Sequence, residues 1–201
     1  MRKPSDIAID RALLLYALQL LQKPEDQASE DAEEESPAAV LMSDVKVQQL
    51  AFLCELQMFA QGFKGFHYEY FRFAYGAYSK DLDNDLLALR KKERLENFDL
   101  TAKARDAVDL LLKASEGVET NQKVLEIVKA VATTYGPQDS GAISKSVEAV
   151  EVSTPAEPES RLPIRAISFH STLLVPARIE VKSEFLLPPS SLSRLSAAVG
   201  M

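Results

Sequence analysis

The chain has 201 residues, of which 46% are apolar, enough for one module with a real core plus appendages. Seven glycines, no tryptophan and a formal charge of −7 argue against a glycine-rich nucleotide cradle and against a chain that coats nucleic acid nonspecifically. The acidity is local: Lys plus Arg against Asp plus Glu runs 4 to 9 over residues 1–40, 11 to 11 over 41–113 and 8 to 10 beyond.

Ser5 or Asp6 is placed to cap a first helix reaching about Gln22, with Ile9, Leu13, Tyr16 and Leu20 on one stripe and Pro24 as its stop. The apolar run inside it, ALLLYALQLL, is ten residues long and has no small-residue cleavage site after it, so a soluble cytoplasmic protein with no membrane partner is expected. Residues 23–40 follow as an acidic stretch without large apolar side chains and read as a disordered loop. The body is expected over 41–136. Ser43 caps a second helix to about Gln61, with Val47, Leu50, Cys54 and Phe59 on an apolar surface widened by Phe52, Leu53 and Leu56. That width predicts a central helix, with Cys54 as a buried structural thiol and Gly62 as the left-handed stop.

Phe66, Tyr68 and Tyr70 alternate with His67 and Glu69, and the phase then slips to Phe71, Phe73 and Tyr75, which predicts a strand with a bulge or bend. Ser79 caps the next helix, buried along Leu82, Leu86 and Leu89. Residues 91–99 suit a short wing holding Leu95 and Phe98. Thr101 and Asn121 then open two further helices, striped by Ala104, Val108, Leu111 and by Val124, Ile127, Val128, Val131, the second closed by Gly136-Pro137. The order is helix, helix, strand, helix, wing, helix, helix. Residues 137–163, rich in serine, proline and charge, read as a flexible linker. Over 164–201, Ile167, Phe169, Leu173, Val175 and then Ile179, Val181, Phe185, Leu187 predict a β-hairpin turning at Pro176-Ala177, followed by a short helix. The fold class is mainly α with small β: a winged-helix-like domain plus a C-terminal hairpin extension.

Enzymatic chemistry is poorly supplied. His67 and His170 lie far apart and have no second His or Cys at ligand spacing, so neither a metal site nor a triad suggests itself, and no cofactor is called for. The stretch GPQDSGAISKS spaces Gly136 and Gly141 like a phosphate loop, but Ala142-Ile143 stands where Lys and Ser or Thr belong. The basic cluster Arg90, Lys91, Lys92, Arg94 closes the third helix, where it complements the helix dipole and offers the alternative of phosphate contacts in a DNA-binding regulator. Asp81, Asp83 and Asp85 at the other end oppose that alternative, because a recognition helix approaches a polyanion with its N-terminal part.

The succession ALLLYALQLL, VKVQQLAFLCE, YFRFAYGAYSKDLDNDLLAL, a short wing and LTAKARDAVDLL resembles the Panacea domain, the SocA-like, phage-associated antitoxin module, over roughly residues 8–115. Lys46, Gln48, Leu50, the Tyr75-Gly76 corner and Ser79 carry the resemblance. Ala77 replaces its usual proline, Gln49 its second lysine, and Glu93-Arg94-Leu95 the glycine before the wing. The resemblance implies a non-enzymatic module that neutralises a cognate toxin by direct binding, in some members as a chaperone or proteolytic adaptor, with the C-terminal extension contacting the partner. On such a module the three aspartates face a basic partner or solvent. The expected partner-binding residues are Tyr75, Tyr78 and Ser79 at the corner and Phe169, Leu173, Ile179, Val181 and Phe185 in the extension.

Overall fold

Helix α1 (Pro4–Leu21) starts on a proline, whose fixed φ suits the first helical turn, and the Asp6 carboxylate accepts the Lys3 N–H at 2.8 Å. The computed structural model describes residues 2–22, 42–154, 157–169, 172–176 and 179–201; the acidic run over 23–40, His170 and the Ala177 corner lie outside the described residues. Helix α1 buries Ala8, Ile9, Ala12 to Leu15 and Leu18, far more than one stripe, because it packs against four other helices. Helix α2 (Asp44–Ala60) is central as expected and is capped by the Ser43 hydroxyl, which accepts the Lys46 N–H at 3.1 Å. Gly62 ends it at φ +80°, where a side chain would press on Lys182.

Strand β1 (Phe63–Lys64) is followed by irregular chain over 65–69 and then by β2 (Tyr70–Phe73) and β3 (Gly76–Tyr78). The expected strand is therefore shorter and later than the aromatic alternation implied. Phe66 and Tyr68 are core residues held outside any ladder. Helix α3 (Lys80–Lys91), the hairpin β4 (Leu95–Glu96) and β5 (Asp99–Leu100), α4 (Ala102–Ser115) and α5 (Glu119–Tyr135) follow in the expected order. The short wing is this hairpin. Thr101 does not cap α4 with its hydroxyl, which donates instead to the Glu93 carbonyl at 2.9 Å.

The C-terminal third departs most from expectation. Residues 137–163 carry α6 (Ser140–Glu148), capped by Asp139, and the antiparallel pair β6 (Glu151–Thr154) and β7 (Glu157–Pro163), so the stretch is not an unstructured linker. Ile143 and Val147 at i, i+4 give α6 a buried face on α2, a pattern hidden by the serines around it. The predicted hairpin does not form either. Strand β8 (Leu173–Val175) pairs antiparallel with β2, while β9 (Ser183–Glu184) pairs parallel with β1, so the two runs join different sheets. A lone hairpin is marginal in water, and each run gains more by completing a sheet already in place. Helix α7 (Pro189–Ala198) packs on α1 and α4. The result is a mainly helical protein with small sheets of short strands.

Candidate functional site: an aromatic sheet face and a buried ion network

The three-stranded sheet runs β3, β2, β8. Its registry pairs Phe71 with Tyr78 on one side and with Leu173 on the other, and Tyr70 with Val175. Alternation then sorts the faces: Tyr70, Arg72, Ala77 and Val175 are buried, whereas Phe71, Phe73, Tyr78 and Leu173 point outward. Phe73 is 50%, Tyr75 60% and Leu173 45% exposed. The Phe73 and Tyr78 rings sit 5.2 Å apart, tilted by 35°. One apolar row thus crosses the sheet.

The position of that row is set by α2. Gln48 donates to the Ser79 carbonyl and accepts the Ser79 N–H, both at 2.9 Å, and Gln49 treats Ala77 the same way at 2.9 and 3.3 Å. Two side-chain amides therefore stand in for the next strand and close the edge of β3. Gly76, at φ +111°, is needed because a Cβ there would lie 2.5 Å from the Gln49 Oε1. Lys46 of the same turn is buried and gives its ammonium to the Gly136 carbonyl at 2.6 Å, a cation at the end of α5. Ser79 is likewise buried, with its hydroxyl accepting the Leu82 N–H at 3.4 Å, and so caps α3 rather than meeting a partner.

Between the start of α2 and the aromatic row lies a groove of about 160 Å³, walled by Val45, Phe73, Tyr75, Ala77 and Tyr78, with Asp44 and Asp83 at its rim. Tyr78 donates to Asp83 at 3.5 Å; burial first, then the charge and hydrogen bond of Asp83, raise its pKa. Asp44 is held by Arg90 at 2.6 Å.

Of the residues expected to bind a partner, Tyr75, Tyr78 and Leu173 come together on this face. Phe169 is 51% exposed but sits over the Arg72 guanidinium at 4.7 Å. Ile179 and Val181 belong to the segment leading to β9, the first exposed and the second half-buried, away from the β3-β2-β8 sheet, whereas Phe185 lies fully in the core and cannot meet a partner. Asn121 fixes this segment by bonding both backbone groups of Leu186, at 2.9 and 3.2 Å. The basic cluster is also largely engaged: Arg90 bonds Asp44 and covers Phe98 at 5.0 Å, and Arg94 donates to the Ala198 and Ala197 carbonyls at 2.6 and 3.2 Å. Lys91 and Lys92 are exposed.

A second polar assembly joins residues whose spacing along the chain does not connect them. Arg2 reaches Asp10 and Asp85, both at 2.7 Å, and Arg11 reaches Asp85 at 2.8 Å. The Tyr68 hydroxyl adds a bond to Asp85 at 3.2 Å, and Arg2 also meets Asp81 at 3.4 Å. Asp85 is therefore buried and does not face a partner or solvent, the placement expected of all three aspartates. Asp10 accepts both the backbone N–H and the Nδ1 of His67 at 2.9 Å, and the ring's Nε2 lies 2.8 Å from Glu184 on β9. Burial opposes the imidazolium, but Asp10 and Glu184 outweigh it and raise the His67 pKa. Glu55, fully buried with no hydrogen-bond partner among the described residues, has its carboxyl pushed well up by burial and by the charge of Asp10. Among the described residues no group of His, Cys, Asp and Glu is arranged to hold a metal ion. The network ties α1, α3 and β9 together, and its carboxylates converge on guanidinium and imidazole groups.

Comparison of the chain with protein-family models, with curated proteins and with solved structures finds no match. Among the described residues no helix is long and apolar enough to cross a membrane.

Proposed function

We propose that the protein is a non-enzymatic, antitoxin-like interaction protein of the cytoplasm that binds and neutralises a cognate toxin protein, as chaperone or proteolytic adaptor. The observation that carries this reading is the outward sheet face. Phe71, Phe73, Tyr75, Tyr78 and Leu173 share an apolar face on which Phe73, Tyr75 and Leu173 are exposed among the described residues, whereas Phe52, Phe66, Tyr68, Tyr70 and Phe185 are buried. Aromatic side chains flanked by polar groups are what protein interfaces are built from. The resemblance over residues 8–115 adds the antitoxin class. The alternative, a DNA-binding regulator using Arg90, Lys91, Lys92 and Arg94, loses support because two of these cations are spent inside the molecule and Asp83 stays at the surface.

The test is co-expression with each reading frame that flanks the gene. A frame that arrests growth alone, is tolerated beside this chain and co-elutes with it as a complex is the expected result. If no flanking frame is neutralised, the antitoxin reading fails.

A further inference from the structure

Three aspartates open α3, and the structure gives them different work. Asp85 is buried between Arg2, Arg11 and Tyr68, and Asp81 is met by Arg2 at 3.4 Å. Asp83 has no cation among the described residues. It stands at the rim of the groove, touched only by the Tyr78 hydroxyl at 3.5 Å. The other rim carboxylate, Asp44, is partnered by Arg90, so that pair is close to neutral and Asp83 supplies the groove's net charge.

The walls are as informative as the rim. Among the described residues guanidinium groups lie over aromatic rings three times: Arg2 over Tyr68 at 4.9 Å, Arg72 over Phe169 at 4.7 Å and Arg90 over Phe98 at 5.0 Å. None of the three is at the groove, where Phe73, Tyr75 and Tyr78 offer ring surface beside a carboxylate. The charge and the rings together favour a planar cation carried on an aliphatic stem. We propose that the groove between α2 and β3 receives an arginine side chain of the partner protein, its stem lying on Phe73 and Tyr78 and its guanidinium bonded to Asp83. The groove's size, about 160 Å³, is of the order of one long side chain. This inference rests on the partner-binding reading of the same face and adds the partner's chemistry: a basic residue set among apolar ones.

The test is an NMR titration of the full chain with N-acetyl-arginine amide, with N-acetyl-norleucine amide as the uncharged control that keeps the aliphatic stem and lacks the guanidinium. The expected result is saturable shifts at Tyr75, Tyr78 and Asp83, weakened about tenfold in Asp83→Asn and about fivefold or more with the norleucine probe, as a charge-assisted bond requires. Tyr75→Ala, an exposed position, serves as a second variant and weakens the same shifts. Absence of saturable shifts, equal binding by Asp83→Asn, or equal binding of the norleucine probe overturns the proposal. If a toxin is neutralised through the sheet face while the titration is blank, the arginine site falls and the function stands. If the titration succeeds and no toxin is neutralised, the reverse holds.

Discussion

Asp85 meets two guanidinium groups and a phenol inside the protein, and removing it takes from the part-buried Arg11 its carboxylate while Arg2 keeps Asp10 and Asp81. Breaking a buried pair in this way costs about 3–5 kcal/mol, so Asp85→Ala is expected to lower urea-denaturation stability by that order. Asp83→Ala, two residues earlier and at the surface, is expected to change it by less than about 1 kcal/mol, the scale of an acid near a helix N-terminus. The contrast is measurable in one experiment. Nothing in the spacing of Asp81, Asp83 and Asp85 announced it, because the groups that sort them, Arg2 and Arg11, lie some seventy to eighty positions away. The Gln48 and Gln49 contacts were equally hidden. A glutamine that closes a strand edge looks in sequence like any polar helix residue.

Among elements, β9 is held by three unlike devices: its parallel pairing with β1, the Asn121 amide on Leu186, and the Glu184 contact with His67. The last is sensitive to protons. The folded His67 pKa is raised above its unfolded value, so its contribution is complete below about pH 6.5 and fades as pH rises through the folded value. Glu55 acts in the same direction. Its folded carboxyl holds a proton more tightly than the unfolded chain does, so stability is lost as pH rises above about 4.3. Denaturation across pH 4.5–8 is therefore expected to show stability falling as pH rises. Glu55→Gln is expected to flatten that slope from its acid end and His67→Gln only above about pH 6.5; a stability that rises with pH contradicts both.

At the scale of the whole molecule, the helices other than α6 were legible, α7 included, and the strand pairing of the C-terminal third was not. Ser43, Ser79 and the stripes of α3, α4 and α5 carry their own signals within one element, as capping and 3.6-residue periodicity do. Even spacing in Ile167 to Leu187 signals strands but not which strands they join. Pairing with β1 and β2 depends on contacts about a hundred residues apart. The apolar row itself was half legible, since Tyr75 and Tyr78 stood out at the corner, while Phe71 and Phe73 join them only once the registry of β2 is known. One consequence concerns truncation. Ile143, Val147, Val175, Phe185, Leu195 and Val199 are all core residues, so deleting 138–201 exposes the body and is expected to unfold it, seen as loss of a cooperative thermal transition.

The face itself is best tested with point variants that leave the core alone. Phe73→Ser with Tyr75→Ser, and separately Lys91→Ser with Lys92→Ser, are both expected to stay within about 0.5 kcal/mol per site of the parent's stability. Titration calorimetry against the proposed toxin partner is then expected to show the aromatic pair weakening binding at least about a hundredfold, the scale of an interface hot spot, with the lysine pair binding like the parent. Full affinity after loss of both aromatics, or loss of affinity only with the lysines, contradicts the assignment of the sheet face as the surface that holds the partner.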